Sequence, residues 1–544
     1  MIKNLLRVGL LSAIGTWALL SCSDEQQFTN ENTDAKKIDV ATISDEMAVV
    51  RDYVPLYTVI AHRGSTFWAP EETEAAWRWA REIGADYLES DLQATKDGVI
   101  LANHDENLKR TTDIANVFSE YVPSTRKDFY RSFVDEDGNQ IFSEEDIAAQ
   151  YNRDVNDFRP YYTMSYYYAE LLMLDAGDWF NQDSPDQARE SFSASTGTHQ
   201  YVSAIQDQIA YAEGKMLKRD DDGERVLTYS IKDKYKGMTL EEIYNSEKVT
   251  TKCDDDGVTY SYAAKYMDFV EYDFDNAYED DPQDTGNRPG IYVEFKESWL
   301  NPKDMEVRLY NILDECGWNI VTAPESTSTP FYVDGLVNVG NTNGKVILQT
   351  FSFDALYRSY QVFEGKVPMC YLLWEGDYAT DLTYTTPTGY ADFIEYSLAH
   401  GAHILGPSIE GTPNDYPDMD EPWQAYMIRK AGMLNHPYSF DTYAQMAQYF
   451  GLYNYGCETE FDDLLRLTIP ATDYTTFSGS TSLPVYADGA FTNRSELTLR
   501  YMIENGFRCN AALPNPFHSG QTYDNSDAPC EVEDAEELLE RLGY

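Results

Sequence analysis

The feature that most constrains the fold is a rhythm of short β-rich runs separated by longer helical patterns. Tyr57–Ala61 reads as a strand. Glu72–Ile83 reads as a helix with Ala75, Trp79 and Ile83 on one face and Gly84 as its stop, and Asp86–Gln93 as a second strand. Lys96-Asp97-Gly98 is a turn leading into Val99–Asn103, which makes the last two runs a hairpin. Further strands are expected at Ile291–Phe295, Val346–Thr350, Cys370–Trp374, His403–Leu405, Met433–Asn435 and Ala487–Phe491. Helical patterns separate them, among them Asp304–Glu315, Ser352–Gln361, Tyr390–Ala399 and Pro422–Lys430. With Val99–Asn103 counted only as the return arm of the hairpin, eight strands remain, each followed by a crossover. That is the count of a (β/α)8 barrel, an α/β fold whose site lies at the C-terminal ends of its strands.

Residues 114 to about 288 break the rhythm and read as a large insertion between the early strands, rich in Tyr and Asp. Its turns fall at Asp135–Gly138, Asp220–Gly223 and Asp254–Gly257. Asp135-x-Asp137-x-Asn139 lacks the sixth-position Gly and twelfth-position Glu of a calcium loop, so solvated hairpin turns are the better reading.

The chain has 544 residues and a formal charge of -52, which excludes nucleic acid as a partner because a polyanion would be repelled. A phosphate-bearing substrate then requires a local focus of positive charge. At the N-terminus, Lys3 and Arg7 precede an apolar run from Val8 to Leu20, shaped like a secretory signal and too short to span a bilayer comfortably. It ends in Leu19-Leu20-Ser21-Cys22, which resembles a bacterial lipobox. That resemblance implies a signal peptide over 1–21, lipidation at Cys22 and an exported outer-membrane lipoprotein, periplasmic or at the cell surface. Residues 22–52 read as a polar tether, leaving 53–544 for the barrel and its insertion. Six other cysteines are widely spaced. Cys509 with Cys530 is the expected bridge, and Cys316 and Cys370 sit in apolar contexts suited to free thiols.

The chemistry concentrates between Thr58 and Asp105. In a strand alternate side chains share a face, so Glu89 and Asp91 point one way and Leu88 and Leu92 the other. Two carboxylates on one face raise each other's pKa unless a cation lies between them. Glu294 and Lys296 repeat the spacing on a later strand. Glu89, Asp91 and Glu294 thus form a hard-oxygen set for one divalent cation, Ca²⁺ or Mg²⁺, and no His/Cys cluster points to zinc. His62 and His104 both end strands, and two histidines flanking a scissile phosphate serve as acid and base. Arg63 and Lys296 suit phosphate oxygens.

Together these residues resemble the glycerophosphodiester phosphodiesterases. The match runs through His62-Arg63-Gly64, Pro70-Glu71-Glu72-Thr73, Glu89-Ser90-Asp91, Asp97-Gly98, His104-Asp105 and Arg110-Thr111-Thr112. It resumes at Leu174–Phe180, Glu294-Phe295-Lys296, Gln349–Asp354, His436-Pro437-Tyr438-Ser439 and Ala487–Asn493. The His-Pro-Tyr segment looks like the periplasmic branch, for which calcium is the expected ion. The resemblance implies a (β/α)8 barrel, His62 and His104 as the acid/base pair and Glu89, Asp91 and Glu294 as metal ligands. It also implies Arg63 and Lys296 at the phosphate and Glu71 as a supporting carboxylate near the mouth, and places His436 there too. Glu72 stands where the family usually has Asn, and Asn493 where it usually has Asp. Those departures, and the insertion placed over the mouth, are where head-group recognition is expected to differ.

The expected function is therefore hydrolysis of a small-molecule glycerophosphodiester to glycerol 3-phosphate and an alcohol, on a membrane-anchored enzyme. The rivals are the same fold acting on lysophospholipid, sphingolipid or teichoic-acid-like diesters, and a non-catalytic lipoprotein that binds glycans through its tyrosines. His400 and His403 read as packing or surface residues, and His199 and His518 as loop residues.

Overall fold

The computed structural model describes residues 39–250, 264–296, 300–374, 382–412, 414–450, 475–477, 480–482, 487–509 and 512–544. The segment 1–21, Cys22, Cys253, Cys457 and the Asp254–Gly257 turn lie outside these residues.

Eight parallel strands surround one interior: β1 (Thr58–Ala61), β2 (Tyr87–Ala94), β4 (Gly290–Phe295), β5 (Val346–Thr350), β6 (Met369–Leu372), β7 (Ile404–Gly406), β8 (Leu434–Asn435) and β9 (Gly489–Thr492). Their order is β8-β7-β6-β5-β4-β2-β1-β9. β3 (Ile100–Ala102) is the antiparallel return arm on β2, with Leu92 opposite Ala102. The ends of the sheet meet: the Asp488 N–H donates to Asn435 O at 2.8 Å and the Phe440 N–H to Phe491 O at 2.7 Å. The expected (β/α)8 barrel is the observed fold. Trp374, expected inside a strand, lies two residues beyond β6.

Period-two alternation fills the interior. Tyr87 points inward below Glu89 and Asp91, and Tyr292 below Glu294. Tyr292 meets Tyr87 at 5.9 Å and Phe491 at 4.9 Å between ring centroids. Gly290 and Gly489 leave room for this layer, since a Cβ there would lie 2.6 Å from the Tyr87 ring and 2.7 Å from that of His436. His436 is part of this aromatic floor, fully buried against Tyr292, and does not line the mouth as the resemblance implied. An inward-pointing position at the end of a barrel strand is a core position.

Three helices pack on the barrel near its ends and its site: α1 (Asp45–Arg51), α2 (Glu74–Ile83) and α3 (Ile205–Ala212). α2 begins at Thr73, whose side chain accepts from the Ala76 N–H, and stops at Gly84 with φ +96°. The sequence gives it one apolar face, yet all ten of its residues are buried. Its polar side is covered as well: Arg78 and Arg81 both reach Asp281, at 2.7 and 2.5 Å, and the Trp79 Nε1–H donates to Ala535 O.

The insertion differs from the single block expected over 114–288. α3, within it, is a crossover helix of the barrel. Gln208 on α3 accepts from Ser90 Oγ and donates to Leu88 O, locking the helix onto β2. The remainder folds around its own aromatic core, including Phe129, Tyr130, Phe133, Tyr167 and Phe269. Most of its tyrosines are therefore packing residues. The Asp135 turn is a hairpin, its Oδ1 accepting from the Asp137 and Asn139 N–H groups. The expected tether also ends early. α1 is capped by Ser44 and docks on the barrel, with the Ile43 N–H donating to Ala431 O and Arg51 to Gly432 O.

Cys509 and Cys530 form a disulfide with Cα atoms 5.2 Å apart, and Cys316 and Cys370 are free. His403 is buried with Nδ1 accepting from the Met369 N–H, and His400 is half-buried beside Tyr396. Among the described residues no helix is long and apolar enough to cross a membrane.

Asp86, just before β2, accepts from the Val59 N–H and from Arg508, and neither Asp86 nor Arg508 has any solvent exposure. Removing one partner leaves a buried uncompensated charge, which costs about 3–5 kcal/mol. Asp86→Ala should lower unfolding stability by that amount in denaturant titration, and Asp86→Ala with Arg508→Met should recover most of it.

Candidate active site

The register of the barrel builds the site. Asp91 on β2 pairs with Glu294 on β4, and Glu294 in turn with Gln349 on β5, so three polar side chains stand at one height on adjacent strands. Glu89 lies two residues lower on β2 and accepts from Gln349 Nε2 at 2.8 Å. Oxygens of Glu89, Asp91 and Glu294 fall within 4.8 Å of one another, and all three residues are buried. Three carboxylates with no sulfur or imidazole in the set match a hard divalent cation.

Basic groups already bear on this cluster. Lys296 Nζ lies 3.0 Å from Asp91 and 2.8 Å from Glu294, and Arg63 Nε lies 3.0 Å from Asp91. Burial works against ionisation of Asp91, but Lys296 and Arg63 outweigh it and hold the carboxyl well below its usual range. Glu89 is pushed well up by burial and by Asp91, and Glu294 to about 7 by burial, despite Lys296.

Arg63 takes up this position through an unusual backbone. It sits at φ +49° immediately after β1, and its N–H donates to Glu89 Oε2 at 2.8 Å. The following Gly64, at φ +88°, must be glycine: a Cβ there would lie 2.6 Å from Ala76 Cβ on α2. His-Arg-Gly is thus a steric requirement as much as a chemical one. Glu72 is also left-handed, at φ +57°, and accepts from the Asp91 N–H at 2.7 Å. It lies behind the carboxylates and does not recognise ligand at the mouth.

Each histidine has its Nδ1 tied away from the cleft. His62 Nδ1 meets Asn493 Oδ1 at 2.7 Å, and Asn493 Nδ2–H donates to Asp441 at 3.1 Å, which settles the orientation of the amide. The His62 Nδ1–H is therefore the donor, and its Nε2 carries the lone pair. His104 Nδ1 meets Asp105 at 2.6 Å, and Asp105 also accepts from Arg110 Nε at 2.7 Å. Arg110 reaches Glu71 at 2.6 Å, and Arg63 lies 3.5 Å from the same carboxylate. Burial and the neighbouring Arg63 depress His62 to about 3, and burial lowers His104.

His62, Arg63, Glu89, His104, Glu294, Lys296 and Gln349 share one cleft. Asp91 and Glu71 stand behind its wall, bound to Arg63. Aromatic rings line the same cleft, Phe351, Trp374, Tyr416, Tyr438 and Phe491, with Lys296 Nζ 6.0 Å from the Phe351 ring centroid. No residue of 114–288 lines it among those described. The insertion, expected over the mouth, meets the charged network through Trp179, whose ring lies 5.9 Å from the Arg110 guanidinium. Sequence reasoning assigns no role to Asp105, Arg110 or Asp441, and it expects Asn493 at head-group recognition, whereas Asn493 supports His62 and does not line the cleft. The His-Asp dipeptide is the available signal for the first, whereas Asp441 has no local signature. Two imidazole nitrogens, two cations and a carboxylate cluster in one cleft are suited to proton transfer around an anionic phosphorus centre.

Residues 62–248 match the model of the glycerophosphoryl diester phosphodiesterase family. The glycerophosphoinositol inositolphosphodiesterase of Mus musculus is 26% identical over 201 residues, 36% of this chain and 30% of that protein. The glycerophosphodiester phosphodiesterase of Bacillus subtilis is 26% identical over 133 residues, 24% of this chain and 30% of that protein. The chain thus spans about a third of the length of these relatives. A solved phosphodiesterase of Oleispira antarctica, in complex with its product sn-glycerol-3-phosphate, covers 82% of this chain and 97% of its own at 14% identity and a TM-score of 0.38. Both histidines and the first two carboxylates lie inside this matched stretch, residues 62–248.

Proposed function

We propose that the chain hydrolyses glycerophosphodiesters to glycerol 3-phosphate and an alcohol, with a divalent cation held by Glu89, Asp91 and Glu294. The observation that carries this reading is the pair of supported imidazoles, Asn493 behind His62 and Asp105 behind His104, in one cleft with Arg63 and Lys296. A bound cation supplies Lewis-acid polarisation of a phosphoryl oxygen. Calcium suits a site of three flexible carboxylates better than magnesium, which demands a stricter octahedron.

The chain's own residues divide the remaining work. Arg63 and Lys296 neutralise phosphate oxygens. His62 faces a neutral amide, which favours the imidazolium less than a carboxylate would, while burial and Arg63 disfavour it, and its Nε2 lone pair takes a proton from the attacking hydroxyl. His104 faces a carboxylate, which favours its protonated form, and it returns a proton to the leaving alkoxide. Bond formation to phosphorus and departure of the alcohol then balance with one proton taken and one given. His62→Ala and His104→Ala should each lower kcat by about 10²–10⁴-fold on glycerophosphocholine. Chelation should abolish turnover of the wild type and added calcium should restore it. Undiminished turnover in either variant, or indifference to chelator, overturns the assignment.

The pH dependence follows from His62. Its neutral form is the active one, and its lowered pKa moves the acidic limb of kcat/KM below the ordinary imidazole value of about 6.5. Asn493→Asp places a carboxylate beside the imidazolium, raises that pKa and should shift the acidic limb to higher pH. A limb that stays in place in the variant refutes the role given to His62.

Export belongs to the same proposal. The lipobox-like Leu19–Cys22 and the acidic Ser23-Asp24-Glu25 support a lipid-anchored outer-membrane protein. Cys22→Ser should release the protein from the membrane fraction and remove the acyl mass at the mature N-terminus.

A further inference from the structure

Gln349 on β5 is buried, lines the cleft and is the register partner of Glu294. The two ends of its amide are treated unequally. The Nε2–H donates to Glu89 Oε1 at 2.8 Å, whereas Oε1 is buried and accepts no hydrogen bond. Glu89 fixes the orientation of the amide, because a metal-ligating carboxylate only accepts and so faces the NH₂ end. A buried carbonyl oxygen without a donor calls for a partner of another kind.

The donors nearby are committed to other groups. Lys296 Nζ is engaged by Asp91 and Glu294, and Arg63 by Asp91, Glu71 and, through its backbone N–H, Glu89. The Thr350 hydroxyl, next in the strand, donates to Phe295 O. An oxygen that receives a substrate hydroxyl stands at the open face of a cleft, and Gln349 Oε1 has no such exposure. What lies beside it is the carboxylate cluster, since Oε1 shares a carbon with the Nε2 that touches Glu89. Glu89 is itself held at both oxygens, by Gln349 and by the Arg63 N–H, which limits what it gives an ion. Calcium takes about six to eight oxygens, and neutral amide carbonyls are among its usual donors.

We propose that Gln349 Oε1 is a fourth protein ligand of the divalent cation, while the Nε2–H of the same amide braces Glu89. This rests on the cation reading above, in which Glu89, Asp91 and Glu294 hold the ion. It adds a neutral oxygen, which brings no further repulsion to three crowded carboxylates. Loss of this ligand should weaken Ca²⁺ binding by about 10–100-fold, the range for groups that support a metal site, and let a water take its place.

The test uses the full-length protein without substrate. Ca²⁺ affinity is measured by isothermal titration calorimetry. The waters on a bound Tb³⁺, a luminescent stand-in for Ca²⁺, are counted from its decay rates in ordinary and heavy water. Gln349→Met keeps the length of the side chain and removes both amide atoms, Gln349→Asn draws the carbonyl back by one methylene, and Gln349→Glu keeps an oxygen but loses the N–H to Glu89. Gln349→Met and Gln349→Asn should each bind Ca²⁺ more weakly and carry about one more water on Tb³⁺ than the wild type. Gln349→Glu should bind Ca²⁺ at least as tightly as the wild type. An unchanged water count in the Met and Asn variants, or a Glu variant as weak as the Met variant, overturns the proposal and leaves Gln349 a support for Glu89 alone. If Gln349→Met does not fold, the water count of Gln349→Asn decides. A wild type that binds neither ion overturns the cation reading and this proposal with it, whereas failure in the variants alone leaves that reading standing.

Discussion

The opposition of buried carboxylates and two cations at the mouth of the barrel is the interaction on which the site depends. Asp91 and Glu294 are register partners on neighbouring strands, and their side chains share one face because both strands alternate in step. Like charges so placed repel, and burial deepens the cost. Lys296 between the two, and Arg63 on the far side of Asp91, offset it. Arg63 reaches Asp91 only from a left-handed backbone, and the adjoining Gly64 lets α2 close to within contact. Chemistry and packing therefore impose the same three residues, His62-Arg63-Gly64.

A second layer of charge supports the two imidazoles from opposite ends of the chain. Glu71 and Arg110 hold Asp105 against His104, all from the connections around the first strands. Asn493 and Asp441 hold His62 from beyond β8 and β9. The neutral amide on one side and the carboxylate on the other give two chemically identical side chains unlike basicities, which acid–base division requires. The insertion is not part of this. Its tyrosines bury one another, and its contribution to the barrel is structural, through α3 and through Asp281 beneath α2.

Much of this was legible in the residues. The barrel followed from counting β-rich runs, and each of the eight strands was found at its expected place with ends shifted by a few residues. The shared face of Glu89 and Asp91 followed from alternation alone. The covered polar side of α2 was not legible, because Arg78 and Arg81 look like solvent-facing residues until Asp281 arrives from some 200 positions away. α3 was missed inside the insertion for a related reason. A short crossover helix flanked by tyrosine-rich segments has no distinguishing period of its own.

The sequence by itself determined the strand periods, the turn glycines and the chemical inventory of the site, because these depend on neighbours within a few residues. Only the tertiary structure decided which side chains face one another. Closure of the sheet brings β9 beside β1 and so gives His62 an amide 431 residues distant. The same closure gathers Phe351, Trp374, Tyr416 and Tyr438 into one cleft. Strand order and shear set such meetings, and no local pattern encodes them.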